Sequence, residues 1–482
     1  MMRMRRLPLL LLVVASGPVA IVVGCSDSTE TRAAFEGDDD AATDSGTKAN
    51  LPEAAPPTDA PVRVDAGADA KAPFDPADEP VTCAGTPCVV ELAAGEFHVC
   101  ARMSDGTARC WGDDSKGALG RGVPDDAGAA DAGSGDAGGG GFIVGTVAGL
   151  TGITQISAGG TTSCARIDDG SVMCWGGNDK GQLGLTPASP ATFDTKPHPV
   201  ASPVAMTEPA VRIDVGQTSA CAVGASGDLW CWGNNAQRQL ARSDTTPTGG
   251  PARASLGGLK IARAVPGSDT VVALTDTGDV VTWGAVAGPE GTLSGRVAAI
   301  SPDPLPLAIE LGSASALSVS STTLFRQGGF PPVVRGIAHA CVVVRGEVYC
   351  WGDSRSGALA TGLPDPSPFP TPVLVESESA WPQQVAAAGE ITCVRLTDGT
   401  VQCAGDDKRG ALARGTEGTF SMFFTPATAF TGHAVQVVAT KTSVCALVQG
   451  GTVECWGSNE RGELGQGTTD TKPHPVPVKV GF

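Results

Sequence analysis

Residues 100–120 read CARMSDGTARCWGDDSKGALG, and the pattern returns at 164–184 as CARIDDGSVMCWGGNDKGQLG and at 445–465 as CALVQGGTVECWGSNERGELG. Looser copies begin at Cys221, Val272, Cys341 and Cys393. Successive copies therefore start about 50 to 70 residues apart, a period typical of repeat architectures. The sequence thus predicts seven repeats, with cores that start at 100, 164, 221, 272, 341, 393 and 445.

Each copy contains the signature of a β-hairpin in which two cysteines face each other. Midway between Cys100 and Cys110 lies a three-residue loop, 104–106, and its last residue, Gly106, suits the left-handed conformation that such loops require. In the fifth copy the cysteines are nine rather than ten residues apart, and the midpoint directly after Arg345 gives a two-residue loop. Because loop length and cysteine spacing change together, the two cysteines must lie opposite each other.

Opposed strand residues have α-carbons about 4.5–5.5 Å apart, within the range of about 4.4–6.8 Å that a disulfide needs. We therefore predict six cross-strand disulfides, each contributing about 2–3 kcal/mol. The predicted pairs are Cys100–Cys110, Cys164–Cys174, Cys221–Cys231, Cys341–Cys350, Cys393–Cys403 and Cys445–Cys455. Zinc sites need close-set cysteine pairs with histidines, so these spacings predict no metal site. Cys83 and Cys88 form a seventh predicted disulfide before the first sheet, with a metal or redox site as the alternative.

Two copies depart from the pattern. The fourth has Val272 and Thr282 at the two cysteine positions, so both cysteines are missing together, as expected for a facing pair. The sixth has Ala404 where the other copies have tryptophan. Those tryptophans are Trp111, Trp175, Trp232, Trp283, Trp351 and Trp456. We interpret them as core residues packed between neighbouring sheets, in preference to a ligand cage.

The pattern resembles the regulator of chromosome condensation repeat family, whose repeats combine G-x-x-H-[ST], D-G and W-G-x-N-x-x-G-Q-L-G. The matching stretches are GEFHVC at 95–100, GIAHAC at 336–341 and WGGNDKGQLG at 175–184. The resemblance covers about 89–482 and implies an all-β, seven-bladed β-propeller. Nuclear members of the family act as nucleotide-exchange factors on a small GTPase, and a secreted bacterial member inhibits β-lactamases. The resemblance therefore implies a binding protein, without identifying the interface residues or the partner.

The ends of the repeat region suggest how the ring closes. The last stretch, PVPVKV at 475–480, has no core of its own after it. We therefore expect it to pair with the first core, so that N- and C-terminal strands share one blade and close the ring. The propeller domain as a whole is predicted to span 81–482.

The first residues read as the export signal of a bacterial lipoprotein. Three arginines precede an apolar run at 7–23, and VVG then leads into Cys25. With 15 cysteines in the chain, Cys25 is the one left over from the seven predicted pairs. We expect 1–24 to be a cleaved signal peptide and Cys25 the lipidation site, carrying diacylglycerol and palmitate. A transmembrane helix is the weaker alternative, because prolines and small residues interrupt the run. This predicts a lipid-anchored cell-envelope protein, in the outer rather than the inner membrane, and the cysteine pairs fit an oxidising compartment.

Three further segments carry predictions. Residues 25–80, rich in alanine, proline and aspartate, should be a disordered acidic tether. Residues 124–141, PDDAGAADAGSGDAGGGG, form a low-complexity insert and should be a surface loop. Residues 315–329 align with the core at 163–177 without its cysteines or tryptophan. We interpret 315–329 as an extra hairpin projecting from the ring, with a degenerate eighth blade as the alternative.

Several kinds of chemistry lack their sequence signals. The five histidines have no metal spacing, and there is no nucleophile elbow, Walker loop or dinucleotide fingerprint. We predict no cofactor. Because the formal net charge is −18, nucleic acid is not an expected partner. We expect a monomeric, non-catalytic module that binds an unidentified protein, with a glycan as the less favoured ligand. The sequence does not reveal the ligand-binding residues. The alternatives are a lyase or hydrolase with its site in the central channel, and a purely structural envelope protein.

Overall fold

The computed structural model describes residues 73–122, 142–185, 194–286, 292–325 and 334–482. The predicted signal peptide, Cys25, most of the tether and the whole insert at 124–141 lie outside these residues. In the described part, 28 strands form seven four-stranded antiparallel sheets. These sheets are the blades of a seven-bladed β-propeller, so the predicted fold class is confirmed. The described residues contain no helix long and apolar enough to cross a membrane.

The strands of each blade follow one another along the chain. Blade 1 contains β1 (Val89–Ala94), β2 (His98–Met103), β3 (Ala108–Gly112) and β4 (Gly145–Thr146). Blade 2 contains β5 (Ile153–Gly159), β6 (Thr162–Ile167), β7 (Val172–Gly176) and β8 (His198–Pro203). Blade 3 contains β9 (Ala210–Val215), β10 (Ser219–Gly224), β11 (Leu229–Asn234) and β12 (Thr248–Arg253). Blade 4 contains β13 (Ile261–Pro266), β14 (Thr270–Thr275), β15 (Val280–Gly284) and β16 (Asp303–Ile309). Blade 5 contains β17 (Ala314–Phe325), β18 (Val334–Val344), β19 (Glu347–Gly352) and β20 (Ser367–Val373). Blade 6 contains β21 (Pro382–Ala388), β22 (Ile391–Leu396), β23 (Val401–Asp406) and β24 (Phe420–Pro426). Blade 7 contains β25 (Ala434–Ala439), β26 (Ser443–Val448), β27 (Thr452–Asn459) and β28 (Asp470–Lys479).

The two middle strands of each blade form the hairpin expected from the cysteine spacing. In blade 1, Cys100 pairs directly with Cys110, and Gly106 in the loop has φ 77°. In blade 5, Arg345 and Gly346 have φ 52° and 81°, as a two-residue turn of the primed type requires. The α-carbons of the Cys100–Cys110 pair are 4.1 Å apart, which is shorter than predicted and belongs to the non-hydrogen-bonded positions of an antiparallel pair.

Seven disulfides join the cysteine pairs expected from the sequence. Six link facing residues of the middle strands, and the seventh joins Cys83 to Cys88. In blade 4, Val272 and Thr282 occupy the same facing positions without a disulfide. The half-cystines of the six middle-strand disulfides are buried, so those bonds lie inside the hydrophobic core between blades.

Six tryptophans make the same contact in their blades, and each joins its blade to the preceding one. All six are fully buried, as the sequence predicts. Each indole Nε1 donates to a backbone carbonyl of the preceding repeat, for example Trp175 to the carbonyl of Ala118 at 2.8 Å. Trp111 donates to the carbonyl of Glu463 at 2.8 Å and so links the first blade to the last. In blade 6, Ala404 packs in a cluster with Leu359 and Phe424 instead.

The structure corrects the prediction for 315–329. Residues 314–325 form a single strand, β17, which is the innermost strand of blade 5 and pairs with β18 over its whole length. The segment Ser315–Phe325 contains no glycine or proline to turn the chain, so it continues as one strand rather than a hairpin. Residues 314–325 are thus one strand of the long β17–β18 pair within blade 5 rather than a separate hairpin, and the described residues contain no eighth blade.

Ring closure also differs from the prediction. The C-terminal strand β28 pairs with β27 of its own repeat, with Cys455 opposite Val478, and not with the first blade. Closure comes instead from packing between blades 1 and 7 and from the segment that precedes β1. Residues 73–88, which we call the N-terminal strap, cross blades 6 and 7 before the chain enters β1.

The strap is held by polar contacts along its length. Asp78 forms a 2.9 Å ion pair with Arg395, whose side chain is buried in blade 6. Glu79 contacts His433 at 2.6 Å in blade 7. The amide of Ala84 donates to the carbonyl of Gly450 at 3.0 Å. The strap therefore fastens the start of the chain to the last two blades.

Candidate functional site

The innermost strands of the seven blades surround a cavity on the propeller axis. These strands are β1, β5, β9, β13, β17, β21 and β25, and the cavity between them has a volume of about 230 Å³. Its wall near the middle of the strands is made of small residues such as Ser157, Val265 and Ser318. Within the described ranges, all seven blades contribute residues to this axial space, so the axis is the natural candidate site.

The third residue of each innermost strand decides the chemistry of this cavity. The seven residues are Glu91, Gln155, Arg212, Arg263, Ala316, Gln384 and Gln436. All seven line the cavity, and Ala316 contributes only a methyl group to it. Three glutamines, three charged residues and one alanine thus stand at one structurally equivalent position.

The three glutamines join neighbouring blades. Gln155 donates through Nε2 to the carbonyl of Ile213 at 2.7 Å and accepts at Oε1 from the amide of the same residue at 3.0 Å. Gln384 makes the same two contacts with Val437 in blade 7. Gln436 makes them with Leu92, at 2.9 and 2.7 Å, across the junction between the last and first blades. Glutamine at this position is therefore a structural residue.

The arginines at the same position do something different. Arg212 turns back onto Asp214 of its own strand, with Nε to Oδ2 at 2.7 Å and Nη2 to Oδ1 at 3.1 Å. Arg263 of the next blade donates through Nε to Oδ1 of Asp214 at 3.2 Å and through Nη1 to the carbonyl of Leu317 at 2.7 Å. Two guanidinium groups therefore share one carboxylate. We call Arg212, Asp214 and Arg263 the channel arginine cluster.

Glu91 completes the charged side of the cavity. Its carboxylate accepts from Nε of Arg102 at 2.7 Å and from the amide of Ile156 at 3.3 Å. The second contact takes the place of the glutamine–amide bond seen in other blades. Burial raises the pKa of Glu91, although Arg102 opposes that shift. Glu91 and Arg102 neutralise each other, which leaves the channel arginine cluster with a formal charge of about +1.

The pKa values of Arg212 and Arg263 depend on burial and on the Asp214 carboxylate that they share. Burial lowers the pKa of Arg263, and Asp214 opposes the shift while the nearby Arg212 adds to it. Burial also acts to lower the pKa of Arg212, but Asp214 outweighs it and the net shift is upward. Asp78 of the strap also opposes the lowering of the pKa of Arg263.

The histidines noted in the sequence are not ligands of a common site. His98 and His339 are buried, and each bonds a hydroxyl of the next blade, Ser163 at 2.8 Å and Thr392 at 2.7 Å. Burial lowers the pKa of both histidines to about 4, so they are neutral. His198 contacts Asp194 at 2.6 Å at the surface, and His474 contacts Asp470 in the same way.

Several aspartates in the loops between strands accept hydrogen bonds from backbone amides and so stabilise turns. Asp169 accepts from the amide of Ser171 at 2.7 Å. Asp114 and Asp407 accept from the amides of Leu119 and Leu412 in the loops after the third strand. Within the described ranges, no group of three or more histidine, cysteine or acidic residues is placed to hold a metal ion.

Sequence reasoning missed the channel arginine cluster. The signal was present, because Glu91, Gln155, Arg212, Arg263, Gln384 and Gln436 each lie nine residues before the first position of the facing pair in their repeat. These positions converge on one axis because each lies on the innermost strand of its blade, which the sequence alone does not show. The blade-to-blade change from glutamine to arginine is the feature that marks a site.

Comparison with known families confirms the repeat type. The regulator of chromosome condensation (RCC1) repeat matches residues 89–118, 153–182, 169–223, 345–395 and 451–482. The expected resemblance to this repeat family is therefore confirmed, while export and lipidation remain predictions.

Curated relatives match about half of this chain. An RCC1 domain-containing mitochondrial protein, RUG3 of Arabidopsis thaliana, is 27% identical over 238 residues, covering 48% of this chain and 50% of the relative. The probable E3 ubiquitin-protein ligase HERC6 of Homo sapiens is 26% identical over 280 residues, covering 56% of this chain and 24% of that protein. The chain thus spans half or less of the length of these relatives.

Solved structures share the fold. Yeast RCC1 (Prp20), in a crystal structure with Kap60 bound to it, gives a TM-score of 0.61 at 15% identity, covering 84% of this chain and 88% of that one. Human WBSCR16 gives a TM-score of 0.58 at 19% identity, covering 77% and 93%. At these identities the likeness is one of fold.

Proposed function

We propose that this ring of RCC1-type repeats is a protein-binding module held at the bacterial cell envelope by a lipid on Cys25. Propellers of this type act as interaction modules, and one matched structure is that of yeast RCC1 with Kap60 bound. The proposal rests on one observation above all. The contacts that build the ring repeat from blade to blade, whereas the residues at the axis differ, as Gln155 and Arg212 do.

Repeated contacts make the scaffold rigid. The disulfides, the indole–carbonyl bonds and the glutamine pairs hold each blade to itself or to its neighbour. A rigid ring can present unlike side chains to a partner without ordering them on binding, which lowers the entropic cost of association. We therefore expect one specific partner surface at an end of the channel, and a monomeric protein.

Photo-crosslinking in intact cells tests the binding proposal. A photoreactive residue at Thr154, near the channel end that carries the arginines, should trap a distinct envelope protein that mass spectrometry identifies. The same group at Ala236, in a loop at the opposite face, is the matched control. A single partner at one position supports the proposal, and no protein adduct at either position would contradict it.

The anchor is tested separately. Cys25→Ala should move the protein from the membrane fraction to the soluble fraction and abolish palmitate labelling. Density-gradient separation of the two membranes should find the parent protein in the outer one. An unlabelled parent protein would refute lipidation while leaving the binding proposal in place.

A second candidate is an enzyme with its site in the channel, a lyase or a hydrolase. The observation that favours it is a set of unlike polar residues from blades 1, 3 and 4 around the axis, Glu91, Arg212, Asp214 and Arg263. Glu91, with its raised pKa, would be the acid–base residue. Incubation with envelope extracts should then yield a product with the parent protein and none with Glu91→Gln. Matching product profiles would exclude this role for Glu91.

A further inference from the structure

We propose that Arg212 and Arg263 form a carboxylate-binding site in the central channel. The source of the carboxylate is either an acidic side chain of a partner protein or a free small dicarboxylate. The first of these deepens the proposed binding function and rests on it, and the second does not.

The two arginines have hydrogen-bond donors to spare. An arginine carries five N–H groups in a fixed fork. Arg212 uses Nε and Nη2 on Asp214, and Arg263 uses Nε on Asp214 and Nη1 on the carbonyl of Leu317. Nη1 of Arg212 and Nη2 of Arg263 meet no acceptor within the described ranges. Because both guanidinium groups grip the same carboxylate, their remaining N–H groups belong to one small region.

The charge of the cluster favours an anion. Asp214 is 9% exposed and is already shared, so it neutralises only one of the two cations. The arginine side chains are 36% and 31% exposed, so solvent and a ligand can reach them. Guanidinium pairs bind carboxylates through paired, charge-assisted hydrogen bonds. A single carboxylate would bring the formal charge of the cluster from about +1 to about zero.

The cavity sets the size of the ligand. Its volume of about 230 Å³ is below the range of about 300–1,000 Å³ typical of sites for drug-sized molecules. It suits the end of an acidic side chain or a dicarboxylate of four or five carbons. The small residues Ser157, Val265 and Ser318 leave room beside the arginines.

Structure alone does not call for arginine at position 212. Gln155, Gln384 and Gln436 at the equivalent position each bond both backbone groups of a residue in the next blade. Arg212 gives up that junction and bonds within its own strand. Arg212→Gln should therefore fold at least as well as the parent protein, because the glutamine can bond the backbone of Ala264 in the same manner.

Titration calorimetry with succinate, with its neutral isostere succinamide, and with a short peptide carrying one central glutamate tests the site. The parent protein should bind succinate or the glutamate peptide and not succinamide. Arg212→Gln and Arg263→Lys should each weaken that binding about tenfold or more. Asp214→Asn should strengthen it, since the internal competitor is removed. Arg253→Gln, on the outside of blade 3, is the matched control and should change nothing.

The outcomes separate the two sources and the two proposals. Binding of succinate but not the peptide assigns a small dicarboxylate, and the reverse assigns a partner side chain. No binding of either probe, or full binding by the Arg212→Gln, Arg263→Lys double variant, overturns the site. Photo-crosslinking to a partner would then still stand, because it does not depend on this cluster. Thermal unfolding of each variant verifies that loss of binding is not loss of fold.

Discussion

Blade 4 shows what replaces a cross-strand disulfide in this ring. Val272 and Thr282 face each other there, at the positions where each of the six other blades has a disulfide such as Cys221–Cys231. The Thr282 hydroxyl donates to the carbonyl of Ser294 at 2.7 Å and accepts from Nε of Arg296 at 3.1 Å. Arg296 is itself buried against Asp303. The hydroxyl thus helps to hold the guanidinium of a buried ion pair.

The double variant Val272→Cys, Thr282→Cys should form the missing disulfide but gain little stability. Closing a loop of this length contributes about 3 kcal/mol through chain entropy. Removing the Thr282 hydroxyl leaves a buried carbonyl unpaired and weakens the hold on a charged guanidinium, which costs about 2–4 kcal/mol. The two effects nearly cancel, so the free energy of unfolding should lie within about 1 kcal/mol of the parent value.

Unfolding in guanidinium chloride without reductant measures the free energy of unfolding. Mass spectrometry of the unreduced protein shows whether the new disulfide has formed. Thr282→Val alone should cost about 2–4 kcal/mol, while Thr282→Ser, which keeps the hydroxyl, should cost about 1 kcal/mol or less. Free thiols in the double variant would show that the two positions do not face each other. A Thr282→Val protein as stable as Thr282→Ser would refute the anchoring role of the hydroxyl.

Gln436→Ala removes both hydrogen bonds to Leu92 across the junction of the last and first blades and should cost about 2–3 kcal/mol in chemical unfolding; an unchanged midpoint would mean that the junction does not depend on them. The pKa of His98 and His339 falls from 6.5 to about 4 on folding. Because the unfolded chain then binds protons more readily, stability should be full above about pH 6.5 and drop by up to about 3 kcal/mol per histidine as the pH falls to 4. Denaturation at pH 7 and 4.5 should show a shallower loss in the His98→Gln, His339→Gln variant, and His198→Gln is the exposed control. Burial raises the pKa of Glu463 from 4.5 to about 7, so its cost to the folded state grows as the pH rises from 4.5 through 7. Glu463→Gln, matching the residue at 182, should add about 1–3 kcal/mol at pH 8 and nothing at pH 4, and an equal midpoint at pH 8 would contradict this.

The hairpins were predictable because their constraints are local. Facing cysteines and a short loop such as 104–106 allow only one register between the two strands. Tertiary packing therefore does not alter the pairing. The same holds for the tryptophans, whose large apolar rings have no alternative to the space between sheets. The repeat therefore predicts both the hairpin of each blade and the disulfide that links its two strands.

The closure of the ring was not predictable by the same means. A cyclic repeat can be divided into blades at more than one point, and the sequence of β28 is compatible with either partner. The chain from β27 to β28 is short, so pairing within the repeat has a low loop-closure cost, while pairing with blade 1 has no such advantage. The error at 315–329 has a related cause, because alignment to a core suggested a turn where no residue favours one.

The channel arginine cluster shows a different limit. Asp214 lies two residues after Arg212, but Arg263 is in the next repeat, so the sharing of one carboxylate appears only when blades are set side by side. Periodic sequence identifies the position that faces the axis. It does not identify which departures from the common residue are close enough to act together.

The N-terminal strap has a mechanical consequence. A pull on the chain upstream of residue 73 would first load Asp78 against Arg395 and Glu79 against His433, before any tension reached β1. These contacts are made to blades 6 and 7, and the Cys83–Cys88 bond limits how far the chain can stretch beyond them. A propeller tethered by its N-terminus would thus bear force through its last two blades, and the innermost strand of the first would be spared from peeling.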